Sequence, residues 1–349
     1  MALVPNAYFA MEVIPALRVG LGVNAPFGLQ TDYDANWIGR FQAMKSKIQT
    51  INLNPSVSYD VNETVSLGAG LNYQYITGDL TSAINWAAIA FTAAGGGGPG
   101  AAAAGAANAA GQGEGVTTVT GKDTAWGYNL GVLFKLSEQT RVGLAYRSSI
   151  KYKLTGSVNF SNRPTAGTLG APLAGGIAAA YPDGPVSLDI KMPDSFSASM
   201  VNRLDDKWDI MADATWTGWA TFKQLDVVRD SGTTLSSTPE NWKNTWRFAV
   251  GANHHYSEQW TSRIGVAYDQ SPVSDAYRTA RVPDNNRKWL SLGGQYKFSK
   301  ASSLDFGYAH LFVSDASINM DGTTTASGNL VGTYKNSVDI LSVQYTHSF

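Results

Sequence analysis

Cationic side chains at regular spacing are the first candidates for binding chemistry in this sequence. Arg147, Lys151 and Lys153 occupy alternate positions of one segment, and alternate residues share one face of a β-strand. Arg278 and Arg281 flank a second connection. Guanidinium and ammonium groups that face a cavity can hold a carboxylate. The same groups could instead pair with Asp and Glu of neighbouring strands, and the sequence leaves both interpretations open.

Motifs for enzymatic chemistry are missing from the sequence. The chain has four His and no Cys, so neither a disulfide nor a Cys-based site is possible. The histidines come with no nucleophile motif, and no Walker A loop, dinucleotide-binding fingerprint or His-x₃-His metal pattern occurs. We therefore predict no enzyme, no metal site and no cofactor.

The composition is unusual for a soluble protein. Charged residues make up 15% of the 349 residues, against about a quarter in typical soluble domains. The chain contains 36 Gly, 16 Tyr and 10 Trp. A net charge of −1 gives no reason to expect nucleic-acid binding. The mean hydropathy of −0.15 is too polar for a helical membrane protein of this length.

The C-terminal stretch is the clearest structural element. Residues 341–349 alternate, with Leu341, Val343, Tyr345 and Phe349 on one face and polar residues on the other. This period of two predicts a β-strand. An apolar face, a polar face and a terminal aromatic residue are typical of a strand in a membrane β-barrel. A last strand that ends in Phe is similar to the assembly signal of bacterial outer-membrane proteins.

The same alternation recurs along the chain, with short turns and long connections in turn. We predict an all-β fold, a transmembrane antiparallel β-barrel formed by residues 1–349 as a single domain, with about thirteen visible strands. Bacterial barrels have an even number of strands, so a further strand is expected before Met1. No secretory signal peptide is recognisable at the start of the sequence. A soluble propeller or lectin fits the alternation but not the low charge of the apolar faces.

One long connection, residues 82–121, is rich in Ala and Gly and is expected outside the cell. Its first part contains Ile84, Trp86, Ile89 and Phe91. A long apolar loop is unusual unless it binds an apolar molecule or packs on another loop. We predict that these four side chains line a substrate groove. The alternative is a mobile low-complexity loop, above all over residues 95–115.

Several short stretches, in order along almost the whole chain, resemble the outer-membrane long-chain fatty acid transporter family (FadL/TodX-like), which includes importers of aromatic hydrocarbons. They are Val4-Pro5-Asn6, Asn24-Ala25-Pro26-Phe27-Gly28-Leu29, Asp34-Ala35-Asn36-Trp37-Ile38-Gly39-Arg40, Ile51-Asn52-Leu53-Asn54-Pro55, Tyr146-Arg147-Ser148, and Ser271-Pro272-Val273 followed by Val282-Pro283-Asp284. The resemblance implies a fourteen-stranded barrel with an N-terminal hatch. On that alignment this chain starts at the second strand, and the hatch has no counterpart in it.

The resemblance also implies a route. Substrate binds a groove between outer loops, moves to a pocket at the hatch and leaves sideways through a gap opened by a kinked strand. The kink falls at Pro26, Phe27 and Gly28. Pro26 cannot donate a ladder hydrogen bond and Gly28 relaxes the backbone, so pairing can break here. The alternative is an ordinary strand end that enters a loop.

The predicted function is passive diffusion of hydrophobic molecules across the bacterial outer membrane. The expected partners are fatty acids or hydrocarbons and the lipid or detergent around a monomeric barrel, without nucleic acid. Arg147, Lys151, Arg278 and Arg281 are the candidates for binding a substrate carboxylate. A general porin for small polar solutes is the first alternative, although residues 82–121 lack the acidic character of a constriction loop. A soluble β-rich binding protein is the second.

Overall fold

The computed structural model describes residues 2–321 and 327–349. Its strands are β1 (Ala7–Ile14), β2 (Leu17–Asn24), β3 (Gly28–Asp32), β4 (Lys45–Asp60), β5 (Val65–Asn85), β6 (Glu114–Lys135), β7 (Thr140–Arg147), β8 (Ile150–Phe160), β9 (Gly184–Met192), β10 (Ser195–Arg203), β11 (Trp208–Thr217), β12 (Gln224–Arg229), β13 (Thr234–Pro239), β14 (Thr245–His255), β15 (Trp260–Asp269), β16 (Arg287–Lys297), β17 (Ser302–Val313), β18 (Ala316–Met320), β19 (Leu330–Tyr334) and β20 (Ser337–His347). The helices are α1 (Trp86–Ala93), α2 (Gly97–Ala109), α3 (Ala166–Leu169) and α4 (Ala171–Ala180).

The wall is one antiparallel sheet in which chain neighbours pair. Three wall strands are interrupted and consist of two segments each: β2 with β3, β7 with β8, and β10 with β9. Counted in this way, the sheet runs β1, β2/β3, β4, β5, β6, β7/β8, β9/β10, β11, β14, β15, β16, β17, β20. These are the thirteen strands that the alternation predicts. The hairpin β12–β13 extends the sheet beyond β9, and β18–β19 form a separate hairpin.

Side-chain alternation sets the two faces of the wall. On β5, Leu67, Leu71 and Tyr73 point outwards and are exposed, whereas Asn72 and Gln74 point inwards and are fully buried. Large apolar residues are exposed on the outward face of most other wall strands too. The fold thus has the inverted polarity of a membrane barrel, with a polar interior and an apolar exterior.

The end strands β1 and β20 come together at one point of the sheet. The rings of Phe9 and Phe349 stack with centroids 6.1 Å apart. Within residues 2–321 and 327–349, β1 pairs only with β2 and β20 pairs only with β17. The further strand expected from the sequence remains a prediction.

A bulge in the sixth wall strand corrects the predicted orientation of two lysines. Asn129 of β6 pairs with Arg147, and Lys122 pairs with Thr155. Between these two pairs the chain advances by seven residues along β6 (129 − 122) and by eight along β7/β8 (155 − 147). The extra residue lies at the break between β7 and β8. Because one added residue reverses the alternation, Lys151 and Lys153 do not share the inward face of Arg147 and are exposed outside.

In the part of the chain that the structure describes, none of the helices is both long and apolar enough to cross a membrane.

Candidate hydrophobic passage

The long apolar connection folds as a pair of helices that stands on the barrel. Strands β5 and β6 remain paired as far as Asn85 and Glu114, so the connection is 86–113 and not 82–121 as predicted. The Asn85 side chain caps α1 by accepting from Ala88 N–H at 2.9 Å. A Cβ at Gly100 would lie 2.6 Å from Phe91 O. Only glycine therefore allows α2 to pack this closely on α1.

A groove opens between this helix pair and α4. The cavity has a volume of about 1160 Å³, and its apolar lining comprises Phe41, Ile84, Ile89, Phe91, Ile177 and Tyr181. Trp86, predicted to line the groove, is fully buried beneath it. Its Nε1–H donates to Ser161 O at 2.9 Å and its ring packs edge-on against Tyr181 at 5.5 Å. Three of the four predicted side chains thus line the cavity, and the fourth supports it.

The rim of the groove carries one closed ion pair. Arg40 donates to both carboxylate oxygens of Glu114, at 3.0 and 2.7 Å, and its guanidinium carbon lies 4.5 Å from the Phe41 ring centroid. Among the described residues that line the cavity, Glu114 is the single charged one. The groove therefore offers apolar surface and one paired carboxylate, and no cation free to hold an anion.

Two apolar clusters connect the groove to the interrupted strand. The groove cluster has as its buried members Trp86, Ala90, Val158, Phe160, Ile177, Val186 and Val227. The lumen cluster, inside the wall, has Ile76, Ile150, Tyr152, Leu154, Ile190 and Met192. Leu188 packs against both clusters, and Phe27 packs against the lumen cluster. Apolar contacts therefore run from the outer groove, through Leu188, to Phe27.

The wall is interrupted at Phe27. Asn24 pairs with Asn52 and Gly28 with Gln49, so four steps on β2/β3 (28 − 24) oppose three on β4 (52 − 49). Among the described strands, β3 pairs with β4 alone, and its other edge has no strand partner. Gly28 already lies in the ladder, and a Cβ there would meet nothing closer than Ile48 O at 4.0 Å. The irregularity is thus at residues 25–27.

Thr50 holds the interruption in place, and the sequence patterns did not identify it. Its hydroxyl accepts from Phe27 N–H at 2.9 Å and donates to Phe27 O at 2.7 Å, while its own N–H donates to Phe27 O at 3.1 Å. A side chain therefore replaces the regular ladder partner at the break. Its place on the polar, inward face of β4, two residues before Asn52, was the available signal in the sequence.

An aromatic chain leads outwards from the same point. Phe27 packs edge-on against Trp219 at 5.9 Å, Trp219 against Trp242 at 5.0 Å, and Trp242 against Phe222 at 4.7 Å. Sequence analysis did not identify these three residues either, because they belong to connections that contact Phe27 only in the folded barrel. They place aromatic surface beside the break.

The four predicted carboxylate-binding residues are not brought together. Arg147 lines a second cavity, of about 550 Å³ inside the barrel, and its Nη1 is buried with no hydrogen-bond partner among the described residues. Arg278 is buried and donates to Asp275, Asp284 O and Ser317 O. Arg281 donates to backbone carbonyls of β4 and β5 and to Ser46. Lys151 is outside. Arg147 alone combines a cavity with a free donor.

A buried carboxyl group lies close to Arg281 in the outer connections. Glu240 accepts from Trp242 Nε1–H at 2.8 Å and is almost inaccessible to solvent. Burial raises its pKa to about 7, although the Trp242 hydrogen bond and the charge of Arg281 act in the opposite direction. Burial likewise lowers the pKa of Arg281 to about 10, opposed by Glu240. Arg281 thus has a structural role, because its hydrogen bonds connect an outer loop to strands β4 and β5.

Comparison with known proteins gives matches over most or all of the chain. The profile of the family described as "Outer membrane protein transport protein (OMPP1/FadL/TodX)" matches residues 1–349. The long-chain fatty acid transport protein of Escherichia coli K12 is 30% identical over 325 residues, which cover 91% of this chain and 72% of that protein. The crystal structure of a Pseudomonas aeruginosa FadL homologue has a TM-score of 0.86 at 30% identity, covering 99% of this chain and 78% of that one. The Pseudomonas putida toluene transporter TodX, at 17% identity and a TM-score of 0.67 over 99% of this chain and 82% of that one, shares the fold.

Proposed function

Because the chain belongs to the outer membrane protein transport protein family (OMPP1/FadL/TodX), we propose that it carries long-chain fatty acids or aromatic hydrocarbons across the outer membrane by passive diffusion. The family consists of outer-membrane transport channels and not of enzymes, so this chain is an outer-membrane β-barrel of a transport family. Relatives include proteins named for fatty acid and for toluene transport. We therefore use a fatty acid and toluene as test substrates.

The observation that carries the proposal is the continuous apolar contact between groove and break. A hydrophobic molecule loses favourable burial wherever it meets water, at about 25 cal/mol per Å² of apolar surface. The groove cluster, Leu188 and the lumen cluster offer apolar side chains over the whole distance. Phe27 ends this path where β3 lacks a second strand partner. A molecule that follows this path would leave through the wall into the membrane. A porin for polar solutes would need no such lateral exit.

Filling the groove tests its role as the entrance. Ala88 lines the cavity, whereas Ala101 is exposed on α2 and does not. We expect Ala88→Trp to lower uptake of labelled oleate or toluene at least fivefold in cells that carry the protein, and Ala101→Trp to leave it unchanged. Equal uptake by both variants at equal surface levels would contradict the groove as entrance. An uptake no higher than that of cells without the protein would contradict transport altogether.

Arg147 is the candidate partner for a substrate carboxylate. Its uncompensated Nη1 borders the lumen cavity, and an arginine–carboxylate contact is a charge-assisted hydrogen bond. Arg147→Met keeps much of the side-chain volume and removes the charge. We expect it to reduce uptake of oleate at least fivefold and to leave uptake of an uncharged hydrocarbon such as toluene unchanged. Equal loss for both substrates would point to a packing role.

We also propose that the protein is a monomer. The outward face carries exposed apolar residues on the wall strands, which suits a barrel surrounded by lipid or detergent. A molar mass by light scattering, corrected for bound detergent, that exceeds one chain would contradict this.

A further inference from the structure

The wall has a polar inner face and an apolar outer face up to two neighbouring breaks, one between β7 and β8 and one between β9 and β10. Beyond these breaks the inner face is apolar and the outer face carries lysines. Below the breaks, Arg147 of β7 pairs with Ser195 of β10; above them, Ile150 of β8 pairs with Met192 of β9. Both strands take three steps between these pairs (150 − 147 and 195 − 192). Since an odd number of steps would normally turn a side chain to the other face, the coincident breaks keep all four side chains inward. The apolar Ile150, Tyr152 and Met192 then lie inside.

The same reversal turns Lys151 and Lys153 on β8 and Lys191 on β9 outwards. Lys122 faces outwards on the uninterrupted β6, on the same face as Trp126. We call these four residues the lysine patch. Lys151 and Lys191 are directly opposite each other in the ladder, and Lys122 is opposite Thr77 on one side and Thr155 on the other. Ammonium groups and hydroxyl groups thus alternate on one outer surface.

The four lysines of the patch form no ion pair with the described residues: within residues 2–321 and 327–349, none of their ammonium groups lies within 4.0 Å of a carboxylate. Asp189 is opposite Lys153 in the ladder but forms no ion pair with it. Like charges directly opposite each other destabilise a pair of strands. By contrast, inward-facing arginines such as Arg247 and Arg263 are paired with Asp213 and Asp305.

The height of the lysine patch follows from the aromatic residues beneath it. The outward apolar band ends at Trp126 on β6, Tyr146 on β7 and Phe196 on β10, and aromatic residues mark the membrane interface of a barrel. Lys151 lies five residues after Tyr146, and Lys191 lies five residues before Phe196 on the neighbouring antiparallel strand, so both are further from the short turns than these aromatic residues. At about 3.3 Å per residue and a strand tilt of about 40°, this is roughly 13 Å further out. A long lysine side chain can reach back from there to lipid headgroups.

We propose that the lysine patch binds the phosphate groups of the lipids in the surrounding outer leaflet. Two opposed ammonium groups and flanking threonine hydroxyls are donors that match the oxygens of a phosphate monoester. The bound phosphates supply further negative charge to a surface on which four lysines are close to one exposed carboxylate, that of Asp189. This goes beyond the transport function, because it concerns how the side of the barrel formed by β6, β8 and β9 is held in its membrane.

The experiment measures binding of bisphosphorylated lipid A to the purified chain in neutral detergent. The test variant exchanges the four lysines of the patch for Gln. A matched variant removes the same charge at the short-turn end of the barrel, where four exposed lysines are available: Lys135, Lys207, Lys297 and Lys300. Heat-modifiable gel migration confirms that each barrel is folded. Should the fourfold patch variant fail this check, Lys151→Gln with Lys191→Gln takes its place.

We expect the fourfold patch variant to bind bisphosphorylated lipid A at least tenfold more weakly, the double variant at least threefold, and the matched variant within twofold of wild type. Enzymatic removal of both phosphates should abolish the difference between wild type and patch variant. The proposal fails if the patch variant binds within twofold of wild type, or if the matched variant loses as much. It also fails if dephosphorylated lipid binds wild type equally well.

Discussion

The hydroxyl of Thr50 forms hydrogen bonds with both backbone groups of Phe27: it accepts from the N–H at 2.9 Å and donates to the carbonyl oxygen at 2.7 Å. Pro26, next to it, has no N–H to offer to a neighbouring strand. Phe27 is therefore held at the break by one side chain while its ring packs against the lumen cluster. The opening in the wall thus has a defined, hydrogen-bonded geometry.

Removal of this hydroxyl should disturb the opening. Thr50→Val keeps the side-chain shape but leaves Phe27 N–H without its partner, at a cost of about 1–3 kcal/mol for a buried group. We expect hydrophobic uptake to change at least threefold and hydrogen exchange at Phe27 to accelerate. Thr50→Ser, which retains the hydroxyl, is the control and should behave as wild type. Unchanged exchange at Phe27 in Thr50→Val would show that the hydroxyl is dispensable.

Leu188 should be a narrow point of the apolar route, because it is the single residue in the described part of the chain that packs against both clusters. Leu188→Asn preserves approximate size and adds a polar group, which costs burial energy on either side. We expect uptake of labelled oleate to fall at least fivefold with the barrel still heat-modifiable. Leu204→Asn, in an exposed short turn, is the matched control. Normal uptake by Leu188→Asn would mean that substrate takes another path.

The strands were predictable, and the changes of face were not. Period-two alternation predicts the thirteen wall strands, because every wall residue faces either the lumen or the outside. The alternation predicts the wrong face for Lys151, because one extra residue at the bulge exchanges the inward and outward positions. The residue types of Ser148 and Ser149 do not indicate a bulge. The sequence predicts a loop where α1 and α2 form, because the stretch Gly95-Gly96-Gly97-Gly98-Pro99 at the junction of the two helices is unfavourable for any helix. In the site, apolar side chains such as Ile89 and Phe91 were recognisable, whereas Thr50 and Trp219 acquire their partners only through tertiary contacts.

Acidity should stabilise the outer connections through Glu240. Its pKa rises from an ordinary 4.5 to about 7 in the folded protein, so the folded state binds more protons than the unfolded chain between these values. Stability must therefore fall as pH rises from 4.5 to 7, by on the order of 3 kcal/mol for this group. We expect the unfolding midpoint to decline over this range in the wild type and to be flatter in Glu240→Gln. Asp226→Asn is the comparison, because Asp226 is only partly buried on β12 and its hydrogen bond from Gln224 lowers its pKa rather than raising it. Identical slopes for wild type and Glu240→Gln would contradict the assignment.

The ion pair at the rim should decide whether the groove accepts an anionic headgroup. Arg40 donates from Nε and Nη2 to the two carboxylate oxygens of Glu114. Its charge is thereby compensated, so the wild-type groove should favour uncharged apolar molecules. Glu114→Gln frees the guanidinium beside Phe41. A new arginine–carboxylate contact is then available to a fatty acid, and a gain of about 1.4 kcal/mol would be a tenfold change in affinity.

We therefore expect Glu114→Gln to bind oleate about tenfold more tightly than wild type at pH 8, with binding of oleyl alcohol unchanged. The measurement is displacement of a fluorescent apolar probe from the purified protein, with the groove-filled Ala88→Trp variant as the blank. The double variant Arg40→Met with Glu114→Gln should lose the gain, because it removes the freed cation. If oleate gains nothing in Glu114→Gln while the probe still binds, Arg40 does not reach the groove. If oleate gains equally in the double variant, loss of the carboxylate alone is responsible.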